Sequence, residues 1–351
     1  MSGHLINRNA ALSGMAASLA SLGIGSMAEA RRQTDADVSK LYAAAKSEGL
    51  VSWWESPYPL NVAEAIRTAF KAKYPGVDVQ LTRATAGPTY QRALQDFQAG
   101  THELDVLAAS DEANFVTLKK MNALAEYEPG DIDKIYAPFR RLDADNMYQA
   151  GALGVVVLNY NPKRIAPPPS KWRDLLDPRY RGQVSLGHPA YSGYVATWAS
   201  VMRDKFGAGY FKSLAENQPK IGRSIYDVTT DIVSGERLIG PGADSVALED
   251  KVKGNAIDVT YPQEDAALVV SPVAVMKNAP HPNAARLFLN FYFSKEYAEA
   301  VGRKFIVPLR SDFASANGTR LGKLKYAVVP VEKQIAQIPE IIATWRSVFG
   351  V

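Results

Sequence analysis

Short apolar strands alternate with helices near the start of the chain, and this alternation constrains the fold more than any other feature. The pattern predicts strands at Leu50 to Trp54, Val77 to Thr82 and Asp105 to Ala109, separated by helices at Val62 to Tyr74 and Tyr90 to Phe97. Strands that alternate with helices in this way form βαβ units whose strands lie parallel in one sheet. The sequence therefore predicts an α/β fold with a mixed, mostly parallel sheet flanked by helices.

The length of the chain, 351 residues, predicts a second compact region, because one hydrophobic core rarely serves so many residues. Gly151 to Leu158 is predicted to be a long strand that crosses into a second lobe, and Leu268 to Met276 is predicted to be the strand that returns. We therefore expect lobe 1 at residues 36–150 and 266–310, lobe 2 at residues 151–265, and a helical C-terminal segment at residues 311–351.

The first thirty residues have the pattern of a secretory leader. Arg8 supplies a weak positive charge, Ala10 to Ile24 is an apolar run of small residues, and Ala28-Glu29-Ala30 is a candidate cleavage site. The run is too short and too rich in Gly and Ser to remain as a membrane anchor. The sequence predicts a signal peptide over residues 1–30, export to the periplasm and no direct membrane insertion.

Composition excludes several classes of function. The chain has no cysteine, which rules out disulfides, thiolate nucleophiles and a lipid-bearing cysteine. Its formal net charge is +4, without a run of five basic residues, so we expect no nucleic-acid partner. Motifs for serine hydrolysis, zinc peptidases and nucleotide binding are also absent from the sequence. We expect a monomer that is not an enzyme and holds no cofactor.

Five segments, taken in order, resemble the family 1 extracellular solute-binding proteins of ABC importers, in the branch that includes the ferric-binding proteins. The segments are Asn159 to Pro162, Trp172 to Gly182, Val233 to Gly240, Tyr261-Pro262 and Ala279 to Glu299. The last of these reads as a turn held by Pro280 and Pro282, with Asn283 placed to cap an amphipathic helix. The order and spacing of the segments span most of the chain beyond the leader.

The resemblance implies a type 2 periplasmic binding protein with two lobes. Such a protein captures a small solute between its lobes by hinge closure and delivers it to a permease in the inner membrane. In this sequence the hinge crossings are expected near Ala150 and Glu264.

Candidate ligand-binding residues of lobe 1 follow its predicted strands, because ligands of open α/β sheets lie beyond the carboxyl ends of strands. Helix N-termini at these places offer free N–H groups and positive dipole ends to an anion. The candidates are Trp54, Glu55 and Ser56 after the first strand, Gly87 and Thr89 before the next helix, and Ser110 and Asp111 after the third strand.

In lobe 2 the best candidate is the segment Tyr191 to Tyr194, which precedes a helix predicted from Val195 to Met202. In the resembling family a small hydroxyl residue and a glycine commonly stand there, which implies roles for Ser192, Gly193 and Tyr194. Tyr226 is a candidate at the start of another helix. Asp244 is a candidate because Gly240 to Ser245 is predicted to be a backbone-rich loop.

The ligand suggested by these residues is a small organic anion, a carboxylate or a phosphorylated compound. Ferric-binding members usually carry adjacent tyrosines after the Gly-Glu segment, but here Ala243 to Glu249 contains no tyrosine, so a direct ferric site of that kind is not expected. The alternatives that stay open are a ferric or metal-chelate receptor, a polyamine or thiamine-like receptor that uses stacking on Trp53, Trp54 or Tyr194, and a secreted two-lobed α/β enzyme.

Overall fold

The computed structural model describes residues 35–351, so the predicted signal peptide lies outside the described residues. The helices of this part are Asp35–Glu48 (α1), Leu60–Lys73 (α2), Ala86–Ala99 (α3), Glu112–Lys120 (α4), Gly193–Phe206 (α5), Gly209–Glu216 (α6), Ile225–Val233 (α7), Asp244–Val252 (α8), Pro282–Tyr292 (α9), Lys295–Gly302 (α10) and Val331–Phe349 (α11). The strands are Leu50–Glu55 (β1), Asp78–Arg83 (β2), Val106–Ala108 (β3), Gln149–Tyr160 (β4), Ser185–Leu186 (β5), Lys220–Ile221 (β6), Ile239–Ala243 (β7), Asp258–Thr260 (β8), Ala266–Val275 (β9) and Tyr326–Ala327 (β10).

The main sheet has the strand order β2-β1-β3-β9-β4-β7, with β8 beside β4 and β10 beside β9. Strands β1, β2 and β3 run parallel, as the alternation with helices predicted, whereas β9 pairs antiparallel with β3. Because the three parallel strands end at the same edge, the segments that follow them meet there. The predicted α/β fold with a mixed sheet is confirmed.

Strands β4 and β9 form a long antiparallel ladder that joins the two parts of the molecule. One end of the ladder, at Gln149 and Val273, adjoins β3, while the other end of β4 pairs with β7 and β8. The register shifts between Ala150 and Ala152, where a Cβ on Gly151 would lie 2.7 Å from a Val273 methyl. This irregularity lies where the sequence predicted a hinge; the lobe boundaries and the hinge itself stay predictions.

An aromatic core lies between β1, α2 and α9. The ring centroids of Phe70 and Phe288 are 4.9 Å apart and those of Trp53 and Phe288 are 5.1 Å apart, at the tilted and edge-on angles that aromatic pairs prefer. Each of these side chains is fully buried, and burial of a side chain of this size contributes about 1.5–3 kcal/mol. The packing fixes β1 in place, and with it the residues that follow β1.

Helix α9 begins one residue earlier than Asn283, so the predicted cap at Asn283 is wrong. Pro282 occupies the first turn, where its missing N–H costs nothing. The backbone N–H groups of this first turn have no partner within the helix, and a residue of α1 accepts their hydrogen bonds. The Glu48 carboxylate accepts from the backbone N of Asn283 at 3.0 Å and from that of Ala284 at 2.7 Å. A tertiary contact that the local sequence does not show replaces the local cap.

A second core joins α5, α6 and α11. Trp345 of α11 packs on Phe211 at 5.0 Å between ring centroids, and its indole N–H donates to the Gly187 carbonyl at 3.1 Å. Ile341 and Trp345 are buried, but Ile335, near the start of the same helix, is 43% exposed. The helix therefore contacts the rest of the chain along a narrower face than its sequence suggests.

The segment Gly240 to Ser245 is not a loop, which corrects the prediction made for it. Ile239 to Ala243 form β7, which pairs with β4, and Asp244 opens α8 directly. Gly242 is required there, because a Cβ at this position would lie 2.0 Å from the Asn159 amide nitrogen of β4. The glycines serve close strand packing.

Candidate functional site

Three helix N-termini converge on one small cavity. Thr85, Ser192 and Ser224 are the N-cap residues of α3, α5 and α7, and all three line it. The full lining consists of Ser56, Arg83, Thr85, Ala86, Ser110, Tyr191, Ser192, Tyr194, Ser224, Ile225 and Tyr226. A helix N-terminus carries unsatisfied N–H groups and a positive dipole end, so three of them make a favourable place for an anion.

One wall of the cavity is built by residues at, or just after, the ends of parallel strands. Ser56 follows β1, Ser110 comes two residues after β3, and Arg83 is the last residue of β2. The Ser56 hydroxyl is fully buried and has no hydrogen-bond partner among the described residues. Such an unsatisfied group costs free energy, and a ligand that bonds to it would recover that cost.

The facing wall is built by the first turns of α5 and α7. The side chain of Ser192 makes no capping bond to α5, which leaves the first-turn N–H groups without a side-chain cap. At α7, by contrast, Ser224 and Asp227 form a capping box, in which the Ser224 hydroxyl accepts from the backbone N of Tyr226 at 3.2 Å. The donors at α5 are therefore the more available of the two sets.

Arg83 is the one charged side chain among the described residues that line the cavity. Its Nε donates to the Tyr58 carbonyl at 2.8 Å, while its other guanidinium nitrogens have no hydrogen-bond partner in residues 35–351. Glu55 lies behind the wall, fully buried, where its Oε1 accepts from the backbone N of Tyr58 at 2.6 Å. Burial raises the pKa of Glu55 well above its usual value, which favours its neutral form and leaves the cavity positive.

The two walls touch each other, so the enclosed space is only about 10 Å³, roughly one water molecule. A Cβ on Gly193 would lie 2.1 Å from the Ser110 carbonyl oxygen. The Tyr226 hydroxyl also crosses the gap and donates to the Pro57 carbonyl. Any larger occupant therefore requires the walls to separate first.

A further bridge joins α8 to α2 and to the residues just after α10 through Glu249. Its two carboxylate oxygens accept from the Asn61 side-chain amide at 3.0 Å each, and the Lys304 ammonium lies 3.3 Å from one of them. These groups are partly solvated, so each contact contributes little alone. Together they hold the closed arrangement from outside.

Comparison with known proteins decides the family. Residues 108–323 match the family described as bacterial extracellular solute-binding protein. The chain belongs to this family. This match confirms the family resemblance that the sequence analysis stated. The chain is the substrate-binding component of an ABC importer, and the family match does not name its solute.

Relatives of this solute-binding protein are distant. An uncharacterized protein of Haemophilus influenzae is 24% identical over 68% of this chain and 71% of its own length. A periplasmic protein of Salmonella typhimurium, described as a candidate 2-aminoethylphosphonate-binding protein, is 24% identical over 48% of this chain. The match spans 54% of that relative, about half its length.

Solved structures share the fold. The periplasmic binding protein AfuA of Actinobacillus pleuropneumoniae, described with fructose 6-phosphate bound, has a TM-score of 0.77 and 23% identity, over 87% of this chain and 99% of AfuA. Iron-bound HitA of Pseudomonas aeruginosa has a TM-score of 0.72 and 20% identity, over 85% and 99%. At sequence identities this low, the structural similarity to these proteins establishes the two-lobed fold.

The predicted ligand-binding residues of the solute-binding protein fall into three groups. Ser56, Ser110, Ser192, Tyr194 and Tyr226 line the cavity together. A second cavity, of about 170 Å³, adjoins the first and is lined by Gly87, Asp111 and Gly193. The remaining candidates, Trp54, Glu55, Thr89 and Asp244, line neither cavity.

Trp54 and Asp244 serve structural contacts. The buried Trp54 ring belongs to the same apolar cluster as Phe115 and Leu118, and the Arg92 guanidinium lies 4.5 Å from its centroid. Asp244 accepts from the Tyr261 hydroxyl at 2.9 Å. Thr89 lies in α3, because this helix begins at Ala86, so Gly87 to Thr89 belong to its first turn and do not precede it.

Sequence reasoning did not select Arg83, Thr85 or Ser224 as ligand-binding residues. Arginine is more often a solvated surface residue, so residue type alone does not mark Arg83 as a site residue. The sequence could have identified Thr85 and Ser224 as N-cap residues, since a Ser or Thr directly before a helix is the usual N-cap. Their convergence depends on the tertiary fold, which the local sequence does not reveal.

Residues 35–351 contain neither a metal-binding cluster nor a membrane-spanning helix. No three His, Asp or Glu side chains of this part cluster closely enough to hold a metal ion. None of its helices combines the length and the apolar character needed to cross a bilayer.

Proposed function

We propose that this protein binds a small organic anion bearing a phosphonate or phosphate group between its lobes. The observation that carries the proposal is the convergence of the N-termini of α3, α5 and α7 with the Arg83 guanidinium on one acid-free cavity. Donors from three helices approach from different directions. That arrangement suits a tetrahedral group with three terminal oxygens better than a planar carboxylate with two.

Two comparisons support this choice of ligand. A relative is described as a candidate 2-aminoethylphosphonate-binding protein, and AfuA is described with fructose 6-phosphate bound. Both named ligands carry a phosphorus oxyanion. Because these proteins are at most 24% identical to this chain, their ligands guide the chemical class only.

In the proposed mechanism, the solute enters an open cleft and the lobes then close over it. Closure brings Ser56, Ser110 and Arg83 of one wall against the α5 and α7 termini of the other, and it excludes water from the anion. The solute stabilises the closed state by its greater affinity for that state. Bending of the β4–β9 ladder near Gly151 would permit the motion.

The protein would work outside the cytoplasm as a monomer that changes no bond in its ligand. Residues 1–30 would direct export and be removed, and the closed receptor would deliver the solute to an inner-membrane ABC permease. The distant relative from Salmonella typhimurium is described as periplasmic, which supports this location. No cofactor and no nucleic acid take part in this scheme.

A ferric receptor is less well supported. Tyr194 and Tyr226 lie together, with ring centroids 6.0 Å apart, and phenolate oxygens bind ferric iron. Burial raises the pKa of both phenols, which opposes the phenolate form. A polyamine or thiamine-like cation would meet Arg83 and three positive helix ends, which disfavours it at this cavity.

A ligand screen tests the proposal. The protein is purified from the periplasm of an expression host, unfolded and refolded to remove carried-over ligand, and its melting is followed with phosphonates, phosphate esters, carboxylates, polyamines and ferric citrate. Ligand at a hundred times its dissociation constant should stabilise the fold by about 2.7 kcal/mol. We expect stabilisation by phosphonates or phosphate esters, and recovery of the ligand unchanged by phosphorus NMR.

Two outcomes would contradict the proposal. Stabilisation by ferric citrate or by polyamines alone would assign the cavity to another ligand class. Steady conversion of a phosphate ester to free phosphate, lost with Arg83→Gln, would indicate an enzyme.

A further inference from the structure

The cavity that adjoins the anion site differs from it in charge. The two cavities share Ala86, Tyr191 and Ser192, so they form neighbouring compartments of one interlobe space. The lining of the second compartment contains one carboxylate, that of Asp111, and no Lys, Arg or His among the described residues. Its members are Ala86, Gly87, Tyr90, Gln91, Asp111, Asn114, Pro189, Ala190, Tyr191, Ser192, Gly193, Ile338 and Ile342.

The Asp111 carboxylate is only partly used by the protein itself. It is the N-cap residue of α4, and its Oδ1 accepts from the backbone N of Ala113 at 3.0 Å. No ion pair joins Asp111 to a basic side chain within residues 35–351. Burial raises its pKa to about 6, so it is mainly ionised at neutral pH. A partly buried carboxylate without a counter-ion is costly, and a cation placed beside it would offset that cost.

The rest of this compartment suits an ammonium group. The Tyr90 ring lines it near Asp111, and aromatic faces attract cations. Ile338 and Ile342 of α11 form an apolar side that keeps water away and strengthens a charge pair. Asn114, in the first turn of α4, adds a side-chain carbonyl that can accept a hydrogen bond.

The chain places the two compartments next to each other. Ser110 lines the anion cavity and Asp111 lines the second cavity, and the Cα atoms of consecutive residues are about 3.8 Å apart. A solute that reaches both would carry its opposite charges only a few bonds apart.

We propose that the second compartment receives a protonated amine with Asp111 as its counter-ion, so that the natural solute is a small zwitterion. This inference rests on the proposed function, since it places the phosphorus oxyanion of the same molecule at the helix N-termini. Asp111 would thus be a specificity residue that separates amino-phosphonates or amino-phosphates from ligands with the anion alone.

Paired ligands that differ only in the amine test the inference by calorimetry. The pairs are 2-aminoethylphosphonate with ethylphosphonate, and O-phosphoethanolamine with ethyl phosphate. In at least one pair we expect the amine to bind the wild-type protein tenfold or more tightly. Asp111→Asn should reduce this preference to within about threefold.

The substitution is chosen to keep the fold. Asn caps helices as well as Asp does, so α4 should be retained, which thermal melting would verify. Asp145→Asn is the matched control, because its side chain is 67% exposed and pairs with Lys119 on the surface. This control should keep the wild-type preference.

The outcomes separate the inference from the function on which it rests. If in both pairs the amine-free ligand binds as tightly as its amine, or if Asp111→Asn keeps the preference, the amine site is refuted while the anion site stands. If none of the four ligands binds a correctly folded, ligand-free protein, both the anion site and the amine site are refuted.

Discussion

Gly193, the first residue of α5, lies directly against the Ser110 carbonyl across the interlobe gap. A Cβ built on Gly193 would come within 2.1 Å of that oxygen and 2.6 Å of its carbon, distances that real Cβ contacts do not reach. The neighbour is backbone, so it cannot move aside by a change of rotamer. The absence of a side chain at residue 193 is therefore a requirement of the closed state.

Gly193→Ala should weaken ligand binding without weakening the fold. Alanine is a better helix former than glycine, by up to about 1 kcal/mol, so the open protein should be as stable as wild type or slightly more stable. Closure, however, would be blocked by the clash, and affinity should fall at least tenfold. Calorimetry measures the affinity, and small-angle scattering measures whether ligand still compacts the protein.

Gly209→Ala is the matched control for this prediction. Gly209 is also the first residue of a helix, α6, and nothing lies within 4 Å of the Cβ it would gain. This variant should bind and close normally. Full affinity in Gly193→Ala would show that the bound state does not bring these two residues together.

Tyr226→Phe should weaken closure by removing one hydrogen bond between the walls. The Tyr226 hydroxyl donates to the Pro57 carbonyl, and a bond of this kind is worth about 0.5–1.5 kcal/mol, or roughly two- to tenfold in affinity. Tyr42→Phe is the control, since that hydroxyl donates to the Pro75 carbonyl at 2.5 Å away from the gap. A larger loss of affinity in the control variant would contradict the assignment.

Much of the fold followed from the sequence, because the strand and helix periods are local properties. Strands β1, β2 and β3 and helix α2 were predicted to within about two residues at each end, whereas α3 begins four residues before its predicted start at Tyr90. Strand β7 was misjudged at its Gly-Pro-Gly segment, because glycine that permits close pairing with β4 resembles glycine that permits a turn.

The site was only partly predictable for a different reason. Residues after strands could be selected by rule, which found Ser56 and Ser110. The rule could not show that Trp54 turns away to pack on Arg92, or that Arg83 turns toward the cavity. Which face a strand-end side chain takes depends on the register of β1 with β2, and that register is set by the tertiary packing.

Arg83→Gln should reduce affinity for the anion by about 10- to 100-fold. A hydrogen bond to a charged group contributes about 1.5–3 kcal/mol, and the remaining helix N-termini would supply the rest of the binding. The loss should also lower the salt dependence of binding. Calorimetry at two ionic strengths would show both effects.

Ser192→Ala should cause a smaller loss of affinity, about threefold to tenfold, because it removes one neutral donor. Arg303→Gln is the control for charge, since Arg303 directly follows α10 and its side chain is 80% exposed. If Arg303→Gln weakened binding as much as Arg83→Gln did, the effect would be one of net charge and not of the cavity.

The unfolding free energy of the ligand-free protein should fall as pH rises from about 4 to 7. Burial raises the pKa of Asp244 to about 7 from its usual 3.8, and it raises the pKa of Glu112 to about 7. In this range the folded protein keeps protons that the unfolded chain releases, so rising pH favours unfolding. Each carboxyl of this kind changes stability by roughly 2–4 kcal/mol across the range.

Asp244→Asn isolates one of these contributions. The Tyr261 hydroxyl, 2.9 Å from Asp244, can donate equally well to the asparagine oxygen, so the packing should survive. The variant should match wild type near pH 4, exceed it in stability near pH 8, and show a shallower slope between these values. Denaturant melts at four pH values would measure this slope. An unchanged slope would mean that Asp244 is ionised in the folded protein at pH 5, and that Tyr261 and the N-terminus of α8 hold its charge more strongly than burial opposes it.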